Sequence, residues 1–164
     1  MNSIVKNLDL TSKGVWFPIT LSILLLLFTL FMKKKQLTWR EIYLTYGVFG
    51  FIAWMFDTIT GNVFDFYDVG NPSITGLGDF MGFSFIPSSL AAIYLNFRTE
   101  RNKWFMVTLF TAISLFIHWG IQWSGYFKSK GWNSIVSLVI FIIAYWLIVP
   151  LHLRIMRHID RNNR

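Results

Sequence analysis

The chain has 164 residues, of which 54% are hydrophobic, 19% aromatic and only 14% charged, too few polar side chains to cover a water-facing surface. It carries a net charge of +7 and no cysteine, which excludes disulfides, thiolate catalysis and Cys-ligated metals. The segments between its apolar stretches are too short to bury a core, so nothing within it can form a kinase, a Rossmann unit or another soluble domain.

Five apolar stretches follow one another, at residues 15–32, 42–64, 77–97, 104–123 and 135–153. At about 1.5 Å per helical residue each comes near the roughly 30 Å of a bilayer core. We therefore expect an all-α fold: a polytopic integral membrane protein, residues 1–164 forming one membrane domain built as a five-helix transmembrane bundle.

The first stretch, SILLLLFTLFM, runs into KKKQLTW with no small-residue cleavage site. It is also longer than the h-region of a signal peptide, so it is read as a retained span. Lys33, Lys34, Lys35 and Arg40 follow it, Arg98, Arg101 and Lys103 follow the third stretch, and Arg154, Arg157, Arg161 and Arg164 follow the fifth. With five spans these segments share one side, which holds 11 basic residues against 4 (Lys6, Lys13, Lys128 and Lys130) on the other. The positive-inside rule then places the N-terminus outside and the C-terminus in the cytoplasm. The basic excess becomes an orientation signal with a role at lipid head groups, and nucleic acid is not expected as a partner. The closing RIMRHIDRNNR reads as a basic amphipathic turn on the head groups. Trp16, Trp119, Trp123 and Trp132 near outer ends, and Trp39 and Trp104 near inner ends, read as interface anchors.

In lipid, small and polar residues mark the faces that helices turn toward each other. The second stretch has Gly47, Gly50, Trp54, Asp57 and Gly61 at steps of three and four; the third has Gly78, Gly82, Phe85, Ser89 and Ala92, with Pro87 expected to kink it. The fourth aligns Thr111, Ser114, His118, Gln122 and Gly125. Gly47, Gly50, Gly61, Gly78, Gly82, Ser89 and Ala92 are the expected packing positions.

Four of the six aspartates fall between residues 57 and 79, all toward the predicted outer face. With Asn62 and Gln122 at similar depth, they define a polar outer-face cluster of Asp57, Asn62, Asp65, Asp68, Asp79, His118 and Gln122. A carboxylate at bilayer depth costs about 2.5–3.5 kcal/mol unless it finds a partner, and the expected partner of Asp57 is His118, with Asp79 nearby. On the inner side only Asn96 and His152 offer strong polarity within a span.

Three chemistries fit such a cluster. Gly76, Leu77, Gly78 and Asp79 read G-x-G-D, which resembles intramembrane aspartyl proteases and prepilin peptidases; there Asp57 and Asp79 would be a catalytic dyad sharing a proton. The Pro-Ala-Leu segment of the presenilin-like branch is missing. Asp57, Asp79 and His118 are candidate ligands for a divalent metal, though no metal-binding spacing is present. Asp57 with His118 could serve a proton- or cation-linked transport component, although the carboxylates do not continue into the inner leaflet.

The segments FGFIAWMFDTI, Asn71-Pro72 and GDFMGFSFIP, about the central third of the chain, resemble a group of small uncharacterised multi-span membrane proteins of spore-forming Gram-positive bacteria. The resemblance implies a bacterial plasma membrane and no reaction. The expectation is a non-enzymatic subunit, sensor or assembly factor without a cofactor, whose partners are the lipid bilayer and another membrane protein or a second copy.

Overall fold

In the computed structural model, which describes the backbone of residues 3–162 and the side chains of 4–159, the chain is helical apart from one two-stranded sheet. The elements are α1 (Ser3–Asn7), α2 (Trp16–Phe31), α3 (Trp39–Asp57), β1 (Tyr67–Val69), α4 (Leu77–Phe97), α5 (Lys103–Ser124), β2 (Phe127–Ser129), α6 (Ser134–Ile143) and α7 (Val149–Asn162). A π-helical turn, Thr58–Val63, extends α3, and a second, Ala144–Ile148, joins α6 to α7.

Four helical stretches are long and apolar enough to cross a membrane: Trp39–Val63, Leu77–Phe97, Lys103–Ser124 and Ser134–Ile159. The 16 residues of α2 form a shorter apolar helix. Helical structure continues past residue 153, where the fifth apolar stretch ends, to Asn162. Beyond residue 153 it carries Arg154 and Arg157 on an amphipathic surface, which keeps the helix going after the apolar stretch stops. Arg164 and the side chain of Arg161 lie outside the described residues.

Local chemistry sets the helix ends. Thr38 and Glu41 form a reciprocal capping box at the start of α3: Thr38 N–H donates to Glu41 Oε2 at 2.8 Å and Glu41 N–H to Thr38 Oγ1 at 3.3 Å. Gly125, at φ 84°, closes α5 in the left-handed conformation that glycine adopts without steric cost. Pro87 lies inside α4, which runs through it unbroken.

The core centres on α4, whose residues from Ser88 to Asn96 are all buried. The α2–α4 contact is made by Ser22, which donates to the Met81 carbonyl at 2.8 Å, and by Gly82 against Pro18. The α3–α4 contact uses Gly50 facing Ser84 and Ser88, a Tyr46–Ser89 hydrogen bond of 2.7 Å and Trp54 Nε1 donating to Ser84 at 3.1 Å. These are the small and polar positions that membrane helices use to approach each other. Gly47 is corrected from this set: it is exposed, with nothing within 4 Å of where a Cβ would stand.

Helices α5 and α6 pack together and meet the α2–α3–α4 layer through an aromatic group. Tyr94 lies 5.4 Å from Phe110 and 5.2 Å from Tyr145 between ring centroids, and its hydroxyl donates to the Tyr145 carbonyl at 2.7 Å. That carbonyl belongs to the second π turn, where Val149 N–H bonds the Ala144 carbonyl and Pro150, next in line for Tyr145, has no N–H to offer.

At the end holding the α2–α3 and α4–α5 loops, Asn96 is fully buried and grips the lysine-rich loop. Its Oδ1 accepts from the N–H groups of Lys35, Gln36 and Leu37 at 2.8, 3.2 and 3.4 Å, and its Nδ2 donates to the Lys33 carbonyl at 2.9 Å. Arg157 adds α7 to this knot through Glu41 at 2.9 Å and the Gln36 carbonyl at 2.7 Å. His152 bonds Thr45 at 3.2 Å and packs edge-on against Phe49.

Candidate functional site

The opposite end of the bundle is closed by a cap drawn from three segments far apart in sequence. Strands β1 and β2 pair antiparallel, with Tyr67 opposite Ser129, Asp68 opposite Lys128 and Val69 opposite Phe127. The N-terminal segment joins them: Asp9 Oδ2 accepts from the Asn71 N–H at 3.0 Å and from Ser12 Oγ at 2.5 Å, and Leu77 N–H donates to the Leu8 carbonyl at 2.9 Å. Gly70 N–H donates to the Tyr126 carbonyl at 2.8 Å.

Two tyrosines reach from this cap to the two carboxylates at the ends of the helices below. Tyr126, following α5, donates to Asp79 Oδ1 at 2.7 Å, and the Gly76 N–H donates to Asp79 Oδ2 at 2.9 Å. Asp79 thereby caps the first turn of α4, where the helix dipole favours a negative charge. Tyr67 donates to Asp57 Oδ1 at 3.1 Å and shares a 2.8 Å hydrogen bond with Thr60 in the first π turn. Burial raises both phenols above the ordinary tyrosine range, so both keep the proton they donate.

This geometry accounts for the G-x-G-D sequence without a catalytic role. A Cβ on Gly76 would stand 2.6 Å from Asp9 Cβ, one on Gly78 would collide with the Tyr126 hydroxyl, and Asp79 receives that hydroxyl. Each conserves space or charge for the cap.

The expected pairing of Asp57 with His118 is corrected. His118 lies at 3.4 Å from Ser137 Oγ and packs edge-on against Phe127 at 5.1 Å, and it shares no hydrogen bond with Asp57. Helical spacing gives each residue's depth and face but not which helix stands opposite it; here Phe127 occupies the place beside His118. Asp65 and Asp68 are both paired with Lys130, at 2.6 and 2.9 Å, Asp65 on the surface and Asp68 half-buried at the wall of the cavity that Asp57 and Asp79 also line. Those two carboxylates raise the Lys130 ammonium above its ordinary value, Asp65 foremost. Asn62 is exposed, and Gln122 is half-buried and takes no part in these contacts. No group of three or more His, Asp or Glu suited to a metal ion occurs among the described residues, so Asp57, Asp79 and His118 are not assembled as ligands.

A polar cavity of about 170 Å³ opens under the cap, lined by Asp57, Asn62, Asp68 and Asp79 with Trp54 and Tyr67. A second, apolar cavity of about 390 Å³ lies deeper, with Asp79, His118 and Tyr126 at its cap end and Ser114, Tyr145 and Val149 at its floor.

Trp132 is more than an interface anchor. Its ring lies 5.9 Å from Phe56 and 5.4 Å from Tyr67, and its Nε1 donates to Ser137 at 2.8 Å. Trp16, Trp39, Trp104, Trp119 and Trp123 are all exposed near helix ends, as anchors would be. The residues sequence reasoning passed over are Tyr67, Tyr126 and Asp9. The alternation in FDFYDV and the YFKS run were the available strand signals, but neither identifies its pairing partner.

Comparison with protein-family models, with curated proteins and with solved structures finds no match to this chain.

Proposed function

We propose that this chain is a five-span integral protein of a bacterial plasma membrane, with the strand cap and N-terminus outside and α7 ending in the cytoplasm. It works as a non-enzymatic subunit, sensor or assembly factor. The basic residues at the Asn96 end support the orientation, and α2, although short, packs along α4 as a fifth span would. The resemblance to small multi-span proteins of spore-forming Gram-positive bacteria fits the same setting.

The observation that carries the reading is the occupation of both intramembrane carboxylates by tyrosines of the cap. Their hydrogen-bonding capacity serves to hold loops on helices, which leaves the exposed cap and the helix faces as the working surfaces. Such a role predicts a stoichiometric membrane-protein partner, or a second copy, in mild-detergent purification from native membranes; a lone monomer there overturns it. The transport reading that used Asp57 with His118 has less support, since the two take different partners.

One observation favours a second reading. Asp57 and Asp79 line the same polar cavity, as the dyad of an intramembrane aspartyl hydrolase would. That reading predicts that Asp57→Ala and Asp79→Ala each abolish turnover of a membrane substrate, and activity surviving either change rejects it.

A further inference from the structure

We propose that the apolar cavity between α3, α4, α5 and α6 binds one acyl chain of a membrane lipid, which enters sideways from the bilayer. The inference rests on the reading of the chain as a membrane-spanning bundle.

The cavity has a definite doorway. At the cap end, α3 and the segment leading into α6 touch through Phe56 and Trp132 at 5.9 Å. At the other end, α3 and α7 touch through Thr45 and Phe49 against His152, at 3.2 Å and 5.3 Å. Between these contacts three lining residues reach the outer surface: Ile52 (39% exposed) on α3, and Ile143 (42%) and Ile148 (37%) on the facing side. The rim is apolar and faces where lipid would be, so the doorway opens toward the bilayer, while at the cap end Val69, Asp79 and Phe83 line both this cavity and the polar one.

Size and chemistry choose the occupant. A volume of about 390 Å³ falls in the roughly 300–1,000 Å³ range of small-molecule sites, and is too narrow for a helix about 10 Å across. Ordered water needs two to four polar partners, and the middle of the cavity is walled by Phe49, Ile86, Ile117 and Phe141. The Tyr145 hydroxyl at the floor is already bonded to Ser114 at 2.8 Å. Left empty, the walls would forfeit the dispersion contacts that keep protein interiors close-packed. The polar lining residues Asp79, His118 and Tyr126 gather at the cap end, the depth at which a lipid's ester groups would sit with its chain pointing inward.

The test uses the full chain in nanodiscs of phosphatidylglycerol bearing a diazirine in one acyl chain, with photo-adducts mapped by mass spectrometry. Ala91 lines the cavity at 2% exposure, while Phe51 and Phe116 face outward at 66% and 77%. The proposal predicts adducts at Ala91 and Ile117 as well as at Phe51 and Phe116. Filling the cavity by Ala53→Phe, or from the opposite wall by Ala144→Phe, should remove the first pair and leave the second, which also reports correct insertion. Adducts at Phe51 and Phe116 alone in the unaltered chain overturn the proposal, as does an unchanged pattern in an inserted, filled variant. Absence of adducts at Phe51 and Phe116 in the unaltered chain would instead overturn the membrane reading beneath it.

Discussion

The Tyr126 hydroxyl donates to Asp79 at 2.7 Å over a glycine, Gly78, that has no room for a side chain. One contact therefore ties the α5–α6 loop to the start of α4. Removing the donor by Tyr126→Phe leaves a buried carboxylate short of a partner, and should cost about 1–3 kcal/mol, read as a lower thermal-unfolding midpoint in detergent.

The same contact sets two glycines apart. Gly78→Ala must push Tyr126 off Asp79 and should cost about 1–3 kcal/mol. Gly82→Ala meets only Pro18 Cβ, at 3.5 Å, an ordinary van der Waals separation, and should stay within about 0.5 kcal/mol. Equal losses would show that the Tyr126 collision does not matter.

Asn96 predicts the largest single effect at the other end. Asn96→Ala strips three loop N–H groups of their acceptor and the Lys33 carbonyl of a donor, an expected loss of about 2–3 kcal/mol. Faster hydrogen exchange at Lys35, Gln36 and Leu37 should accompany it.

Alkaline pH should loosen the cap. Burial holds the Tyr67 and Tyr126 phenols above their ordinary value, so the folded state keeps these protons more tightly than the unfolded chain does. The stability this confers is complete below about pH 10 and is lost as pH rises beyond that toward the folded values. Replacing both tyrosines with Phe should lower stability at neutral pH and flatten its decline above about pH 10, which unfolding midpoints across that range would reveal.

Hydropathy makes the spans legible because burial in lipid acts on every residue of a helix at once. Residues 77–97 are the clearest case, with both ends of α4 as expected, whereas α7 outlasts its apolar stretch because amphipathic sequence also supports a helix. The partners of the polar residues were not legible. Asp57 and His118 share a depth, but periodicity does not determine the neighbour of each helix. The three-residue strands that supply Tyr67 and flank Tyr126 are defined by pairing between distant loops, which leaves little local signature. Asp9, in a left-handed backbone conformation at φ 52°, reads from sequence as an ordinary loop charge.

The proposed role and the lipid site both require the cap and the Asn96 end to lie on opposite sides of a membrane. A chain without cysteine allows this to be measured directly by placing one at Ser73, exposed in the cap, or at Arg101, exposed in the α4–α5 loop, and treating intact cells with a membrane-impermeant maleimide. Ser73→Cys should label at once and Arg101→Cys only after permeabilisation. Labelling of both from the same side, or in the reverse order, would contradict the account.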